Sequence, residues 1–210
     1  MSKKLLYISL FLLLSLNANA QKKFNFGTKF GVNFSGMHET NSVYTDLFGI
    51  NFGFLAEQKI SSKFYVQGEI LYNRKGGQYE GFYNTYPVTY KTTLDYLDLS
   101  LQAKWMFIEE LSLDLGLQVG QLFNSKGIIQ NDFGLENEVE LPEVNDFDFS
   151  LNAGITYAFQ KQFSLQAKYS YGLTKIFKTS DYKNSTISLS IIFLFKERVS
   201  EEENENLIYE

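Results

Sequence analysis

The sequence predicts an all-β fold: an eight-stranded antiparallel up-and-down transmembrane β-barrel with a polar, side-chain-filled lumen. Apolar and polar residues alternate with a period of two in eight separate runs, which is typical of strands with one oily and one polar face. The chain contains 20 Phe and 14 Tyr but only two Pro, a composition that favours strands. The runs are about 9 to 13 residues long, closer to a tilted membrane-crossing strand than to the five or six residues usual in globular sheets.

The N-terminus has the features of a cleaved secretory signal peptide. Lys3 and Lys4 precede an apolar segment that ends in the small-residue site ANA, the order of elements that a signal peptidase substrate needs. We therefore expect a signal peptide at 1–20, a barrel domain at 21–196 and an acidic, disordered tail at 197–210. The chain has no Cys, which excludes disulfides and a lipid anchored on Cys.

The charge balance argues against one class of partner. Without the two lysines of the signal peptide, 17 basic and 24 acidic residues leave a net charge of −7. Nucleic-acid-binding surfaces are rich in Lys and Arg, so no nucleic-acid partner is predicted. Beyond the signal peptide no apolar run of about 18 residues follows, and a transmembrane helix is not predicted.

The alternating runs define the predicted strands. In chain order they cover residues 24–34, 47–58, 63–73, 96–105, 111–119, 147–159, 163–173 and 185–195. The fifth run, LSLDLGLQV, is representative, because its leucines alternate with Ser112, Asp114, Gly116 and Gln118. A strand with this pattern presents an apolar face to one environment and a polar face to another.

The connections between the runs are alternately short and long. The short ones lie around residues 59–62, 106–110 and 160–162. The long, polar ones cover residues 35–46, 74–95, 124–146 and 175–184. Short turns at one rim and long loops at the other are typical of outer-membrane barrels, in which the short turns are periplasmic. An even number of strands places both chain ends at that rim.

The volume of the lumen decides which face lies inside. Eight strands close into a barrel whose interior is just wide enough for side chains to fill it, and about five large apolar residues per strand would not fit there. The polar face, which carries Gly, Ser and Thr with a few long polar side chains, does fit. We therefore expect the leucines of LSLDLGLQV to face lipid and Asp114 to lie in the lumen.

Aromatic residues gather at both ends of the predicted strands, while the middle positions are mostly aliphatic. At the short-turn rim they are Phe24, Phe64, Trp105, Tyr157, Phe159, Phe163 and Phe195. At the long-loop rim they are Phe34, Phe48, Tyr72, Phe147, Phe149, Tyr169 and Tyr171. Two aromatic girdles around an aliphatic band are typical of a bilayer-spanning barrel, although Phe52 and Phe54 depart from the pattern.

Charged residues on the polar faces are predicted to form a structural network in the lumen. They are Lys29, Glu57, Glu69, Asp98, Lys104, Asp114, Asp148 and Lys168. Acids and bases nearly balance, as buried charges must to offset their desolvation. If Trp105 pairs with Leu111 across the short turn, Asp114 lies opposite Gln102 and diagonal to Lys104, so a contact between Lys104 and Asp114 is predicted.

Several stretches resemble PorT-like outer-membrane β-barrel proteins of Bacteroidetes. The segment 26–36, FGTKFGVNFSG, resembles the G-x-K-x-G-x-N-x-S opening of that family. Its matching positions are Gly27, Lys29, Gly31, Asn33 and Ser35. The segments 67–77 and 96–105 are similar to two later family strands, with Gly68 and Ser100 where the family usually has Pro. The resemblance implies an eight-stranded barrel in the outer membrane of a Gram-negative organism, and the namesake takes part in type IX protein secretion.

Three loop features are candidate sites, but no catalytic residue, cofactor or metal is predicted from them. His38, the only His, lies near Ser35 and Glu39 in sequence and could act as a general base, against the alternative of a solvated loop His. The acidic segment 135–144 carries oxygen ligands suited to Ca²⁺ but lacks a D-x-D-x-D-G spacing. The aromatic segment 76–86 is either a partner-binding surface or packing over the barrel mouth.

The sequence thus predicts a monomeric, non-enzymatic outer-membrane protein that acts as a scaffold or interaction protein through long extracellular loops. Its predicted partners are outer-membrane lipid and other proteins of the cell envelope or of a secretion apparatus. The alternatives are an accessory component of a type IX secretion system, an outer-leaflet lipid-modifying or proteolytic enzyme that uses His38, and a narrow channel. A channel is disfavoured because the lumen of an eight-stranded barrel is filled by side chains.

Overall fold

The computed structural model describes residues 24–39, 42–43, 47–83, 86–131 and 135–198. The predicted signal peptide and the part of the predicted acidic tail beyond Arg198 lie outside these ranges. Within them, no helix is long and apolar enough to cross a membrane.

The described residues form ten β-strands. They are β1 (Phe24–Glu39), β2 (Ser42–Val43), β3 (Leu47–Lys59), β4 (Phe64–Tyr83), β5 (Tyr86–Ile108), β6 (Leu111–Asn131), β7 (Glu136–Val139), β8 (Phe147–Ala158), β9 (Phe163–Gly172) and β10 (Lys183–Leu194).

Eight of these strands close into an antiparallel ring. The order around it is β1, β3, β4, β5, β6, β8, β9 and β10. β10 pairs back onto β1, from Gly27 opposite Leu194 to His38 opposite Lys183. The short strands β2 and β7 add to β1 and β6 at the long-loop end. The predicted eight-stranded up-and-down barrel is therefore confirmed.

The side chains alternate around the ring as the period-two pattern predicts. In β6, Leu115 and Leu117 are exposed on the outer wall, whereas Ser112 and Asp114 are buried, with Asp114 only 2% exposed. A few apolar residues also point inward. Leu55, Ile192 and Leu194 form a small apolar cluster inside the barrel, so the lumen is not polar along its whole length.

The prediction of long loops at 74–95 and 124–146 is wrong in large part, because strands occupy most of both ranges. β4 and β5 continue as a hairpin to Tyr83 and Tyr86, and β6 continues to Asn131. These strands hold 20, 23 and 21 residues, about twice the 9 to 11 that a tilted strand needs to cross a membrane. Beyond the membrane both faces of a strand meet water or loops, so the apolar alternation fades while the backbone pairing persists.

The predicted register between β5 and β6 is also wrong. Trp105 pairs with Leu113, and Lys104 lies directly opposite Asp114. Only Glu109 and Glu110 separate the two strands, and a bulge lies between Met106 and Ile108. The turn is thus tighter than its sequence indicates, which moves the pairing by two residues.

An apolar plug closes the lumen at its long-loop end. It consists of Met37, Leu94, Tyr96, Ile176 and Phe177, all buried. The two residues from the β9–β10 loop are held there by pairing, because Phe177 bridges to Val144 and the Ile176 N–H donates to the Tyr182 carbonyl. The loop therefore folds back over the barrel mouth.

We expect a charged substitution on the outer wall of β6 to destabilise the barrel by an amount that depends on its depth in the membrane. Leu115 lies midway along the part of β6 that faces lipid and is 66% exposed. Leu115→Arg should lower the free energy of unfolding by about 2–4 kcal/mol, the cost of Arg on a lipid-facing strand near the bilayer midplane. Urea unfolding of the barrel in phospholipid vesicles measures this.

The matched control is Leu135→Arg. Leu135 is equally exposed, at 65%, but lies in the long loop before β7. Its substitution should change stability by less than about 0.5 kcal/mol, as at ordinary surface positions. Equal losses at both positions would contradict a lipid-facing outer wall.

Candidate functional site

The middle of the lumen is organised around Glu69 on β4. Its carboxylate accepts hydrogen bonds from Lys29 Nζ at 2.8 Å and from Lys168 Nζ at 3.2 Å. Ser100 and Gln67 donate to the same carboxylate at 3.0 and 2.7 Å. Both lysines and Glu69 are buried. Such a fully bonded cluster offsets the desolvation of its charges and ties β1, β4, β5 and β9 together.

A second cluster lies closer to the long-loop rim and centres on Lys75. Its ammonium group lies 3.1 Å from Asp98 Oδ2 and 3.0 Å from Asp148 Oδ2. Asn73 and Gln118 also donate to Asp98 Oδ2, at 2.6 and 2.7 Å. One cation thus serves two carboxylates that would otherwise repel each other.

Asp114 lies among neutral donors. Ser112 donates to it at 2.7 Å and Gln166 at 2.8 Å, and Thr156 donates as well. Although Lys104 is its direct neighbour across the strands, Lys104 Nζ donates instead to Gln67 at 2.9 Å and to Glu57 at 3.1 Å. The predicted Lys104–Asp114 contact is therefore wrong, because the lysine side chain turns away from β6, toward Gln67 on β4 and Glu57 on β3.

Arg198, three residues beyond Phe195, closes the lumen at the short-turn end. Its guanidinium donates to both oxygens of Glu57, at 2.8 and 3.0 Å, and to Ser164 Oγ at 3.2 Å. The fork geometry of arginine suits this bidentate pairing. Its side chain is 13% exposed and that of Glu57 is 2% exposed. Arg198 therefore acts as a cap over the polar interior.

The structure places all eight charged residues of the predicted lumen network in the interior, each buried. It adds two bases, Lys75 and Arg198, so that five acids and five bases meet there among the described residues. Lys75 could have been found by continuing the alternation of β4 past Asn73 into the supposed loop. Arg198 had no such signal, since it follows the last strand in an acidic segment.

The aromatic residues predicted for the girdles point outward. Those more than one third exposed are Phe24, Phe34, Phe48, Phe64, Trp105, Phe147, Phe149, Tyr157, Phe159, Tyr169, Tyr171 and Phe195, while Tyr72 and Phe163 are half-buried among neighbouring rings. Tyr72 has a polar role too, because its hydroxyl donates to Asp95 Oδ1 at 2.7 Å, where Arg74 also binds.

His38 lies beyond the aromatic girdle of the long-loop rim, on the outer face of β1. Its ring lies 4.8 Å from the ring of Tyr171, whereas Ser35 points into the lumen and accepts a hydrogen bond from Thr186 at 3.2 Å. Burial lowers the pKa of His38, and the ammonium group of Lys183 lowers it further. The Ser35–His38 pairing considered from sequence is wrong, because residues three apart on a strand face opposite sides.

The acidic segment 135–144 forms exposed ion pairs with lysines of neighbouring segments. Glu138 pairs with Lys126 across β6 and β7, and Glu143 pairs with Lys178 of the β9–β10 loop. In the part of the chain that the structure describes, no group of three or more His, Asp or Glu side chains could hold a metal ion.

The parts of β4, β5 and β6 nearest the long loops (residues 76–83, 86–93 and 126–131), together with β7, form a raised sheet above the barrel. Gly76 lies where β4 leaves the barrel wall, and its backbone φ of 142° is one that residues with a side chain rarely adopt. A Cβ at this position would also lie only 1.9 Å from the Thr92 carbonyl oxygen. At the tip of the sheet Phe82, Tyr83 and Tyr86 are 57–74% exposed. The aromatic rings at the tip of segment 76–86 thus form an exposed surface, and only the other described residues of the segment pack against their neighbours.

Known proteins share this architecture. A family model described as an outer membrane protein beta-barrel domain matches residues 7–178. No curated protein sequence matches the chain.

Among solved structures, two crystal structures of Ail, the attachment invasion locus protein of Yersinia pestis, each cover 82% of this chain and 99% of their own, with TM-scores of 0.51. Their identities are 17% for the complex with the heparin analogue sucrose octasulfate and 16% for Ail alone. Neisserial surface protein A covers 80% of this chain and 96% of its own, at 11% identity and a TM-score of 0.49. At such low identity the likeness to Ail shows the fold.

Removal of the Lys75 ammonium should destabilise the barrel strongly. Lys75→Met leaves Asp98 and Asp148 buried without their cation, and the loss of one member of a buried ion pair costs about 3–5 kcal/mol. We expect an equivalent fall in the free energy of unfolding, measured in urea, and partial recovery in the double variant Lys75→Met with Asp148→Asn.

The control is Lys126→Met, which breaks an exposed ion pair with Glu138 and should cost less than about 1 kcal/mol. If Lys75→Met and Lys126→Met unfold at the same urea concentration, the charge cluster does not stabilise the lumen.

Proposed function

The chain belongs to the outer membrane protein β-barrel domain family, and on that premise we propose a non-enzymatic interaction protein that binds a macromolecular partner through its raised sheet. The family model fixes the location as the outer membrane of a Gram-negative bacterium. In such barrels the long loops are extracellular, so the raised sheet would project from the cell. Residues 1–20 would direct export and be removed from the mature protein.

The closed lumen supports an interaction role over transport. Side chains of the charge network fill the middle, the apolar plug covers the long-loop end and Arg198 covers the other. A barrel filled in this way presents its chemistry at its surfaces. The ring is complete with one copy of the chain, which supports a monomer.

The observation that carries the proposal is the aromatic tip of the raised sheet. Phe82, Tyr83 and Tyr86 expose most of their surface at the end of the β4–β5 hairpin. Phe and Tyr are enriched at protein–protein interfaces, and clustered apolar exposure marks interaction sites. We infer that the partner is a protein with a complementary apolar patch.

An enzymatic role receives no such support. The one candidate constellation from sequence is divided between the two faces of β1, with Ser35 inside the lumen and His38 outside. We therefore propose that the protein is not an enzyme.

We expect the aromatic tip to be required for partner binding. The triple variant Phe82→Ser, Tyr83→Ser and Tyr86→Ser should lose a protein that the wild type cross-links to on intact cells, identified by mass spectrometry. The loss should exceed ten-fold, since central aromatic residues dominate interface energies.

The control variant Lys175→Ser with Asp181→Ser removes an exposed ion pair on another outer loop and should retain the same partner. Identical cross-linking by the wild type and the triple variant would contradict the proposal.

A second proposal is a role in type IX secretion, which rests on the resemblance to PorT-like proteins. Two of the matching residues make hydrogen bonds inside the lumen: Lys29 donates to Glu69, and Asn33 donates to Asn73 at 3.1 Å. The opening motif thus encodes a strand that fits this lumen, which supports a shared barrel type.

Deletion of the gene tests the secretion proposal. If the protein is an accessory component, type IX cargo proteins should accumulate in the periplasm, and the wild-type gene should restore their secretion, which immunoblots of cell fractions would measure. Unchanged secretion would exclude the role. Complementation of the deletion with a gene that carries the triple tip variant would show whether secretion depends on the tip.

A further inference from the structure

A cleft lies between the raised sheet and the loop that joins β9 to β10. Its volume is about 360 Å³, at the lower end of the ~300–1,000 Å³ typical of small-molecule sites. Met37 and Phe177, two members of the apolar plug, form part of its lining. The cleft is thus separate from the charged lumen below and from the aromatic tip, whose residues do not line it.

Tyrosines form one wall of the cleft. Tyr79 and Tyr90 pair across β4 and β5, with ring centroids 4.6 Å apart and planes 5° from parallel. Tyr182 from the facing loop also lines the cleft. Burial raises the pKa of Tyr79, and Tyr90 and Tyr182 raise it further. Since all three tyrosines line the same cleft, they offer it apolar ring faces and polar hydroxyl edges.

Hydroxyl groups complete the lining. Thr92, Thr179 and Ser180 lie around the cleft, and Ser180 Oγ is buried with no hydrogen-bond partner among the described residues. Buried polar atoms are nearly always paired, so an unpaired hydroxyl in a cleft points to a ligand that supplies the missing bond.

The charges of the cleft indicate a neutral ligand. Among the described residues that line it, Lys91 is the one base and Glu140 the one acid, and Lys91 already donates to Gln130. Neither an anion nor a cation would find an excess of opposite charge. A neutral molecule with an apolar face and several hydroxyl groups matches tyrosine faces and threonine and serine hydroxyls at once.

We propose that this cleft binds a neutral sugar, one or two rings of a glycan, with a ring face packed on the tyrosines and hydroxyls bonded to Ser180 and the threonines. A sugar ring has C–H bonds that pack against an aromatic face and hydroxyls that both donate and accept. A purely apolar side chain would leave Ser180 unpaired, which costs free energy. The site goes beyond the proposed partner-binding tip because it uses other residues of the raised sheet.

Saturation-transfer NMR on the full-length protein in detergent micelles tests the proposal. The probes are glucose, galactose, mannose, N-acetylglucosamine, maltose, cellobiose and lactose, each titrated to about 10 mM, which reveals sites of millimolar affinity. The apolar comparison probe is 4-methylphenol, an analogue of a tyrosine side chain. At least one sugar should bind more tightly than 4-methylphenol.

Two substitutions locate the binding. Ser180→Ala should weaken sugar binding about 2–10-fold, the effect of one lost hydrogen bond, and should not weaken binding of 4-methylphenol. Tyr182→Ala should weaken it more than ten-fold, whereas Tyr182→Phe, which keeps the ring, should weaken it less. Heat-dependent gel mobility verifies that each variant remains a folded barrel.

The triple variant at the aromatic tip is the matched control and should bind sugar as the wild type does. Loss of partner cross-linking with unchanged sugar binding would separate the tip from the cleft. Failure of every sugar to bind, preference for 4-methylphenol, or sugar binding unaffected by both Ser180→Ala and Tyr182→Ala would overturn the proposal.

Discussion

Closure of the sheet is the constraint on which the rest of this structure depends. In hydrocarbon every backbone N–H and C=O must be paired within the protein, so a sheet can cross a membrane only if it has no edge. The pairing of β10 with β1 removes both edges. Once eight strands close, the width of the lumen follows, and with it the division into a lipid-facing apolar wall and an interior that only small or polar residues can fill.

Charge matching follows from closure. Water does not solvate the charged groups of the filled interior, so each buried charge requires an opposite charge or strong hydrogen bonds. Glu69 receives two lysines, Lys75 serves two aspartates and Glu57 is held by Lys104 and Arg198. Most of these partners lie on strands that are not adjacent in the ring. The lumen network therefore holds together strands that the backbone ladder joins only through their neighbours.

The sequence was most informative where one face of a strand meets lipid. There the period-two pattern located the eight strands and the inward charges, because burial and exposure differ sharply between neighbouring residues. It failed above the membrane, where β4, β5 and β6 continue without that contrast and Lys75 was hidden in a supposed loop. It also failed at Arg198 and in the β5–β6 register, since a side-chain contact after the last strand and a bulge near Met106 leave no periodic signal. The cleft beside Ser180 depends on loop packing that no local pattern encodes.

The pairing of Arg198 with Glu57 also bears on how the barrel assembles. Glu57 lies on β3, near the start of the chain, and Arg198 follows β10, near its end. The two can meet only after β10 has joined β1, so this contact contributes nothing to an open or partly formed sheet. Its free energy is gained only when the ring is closed, which makes closure more cooperative and disfavours intermediates in which the first and last strands have come apart.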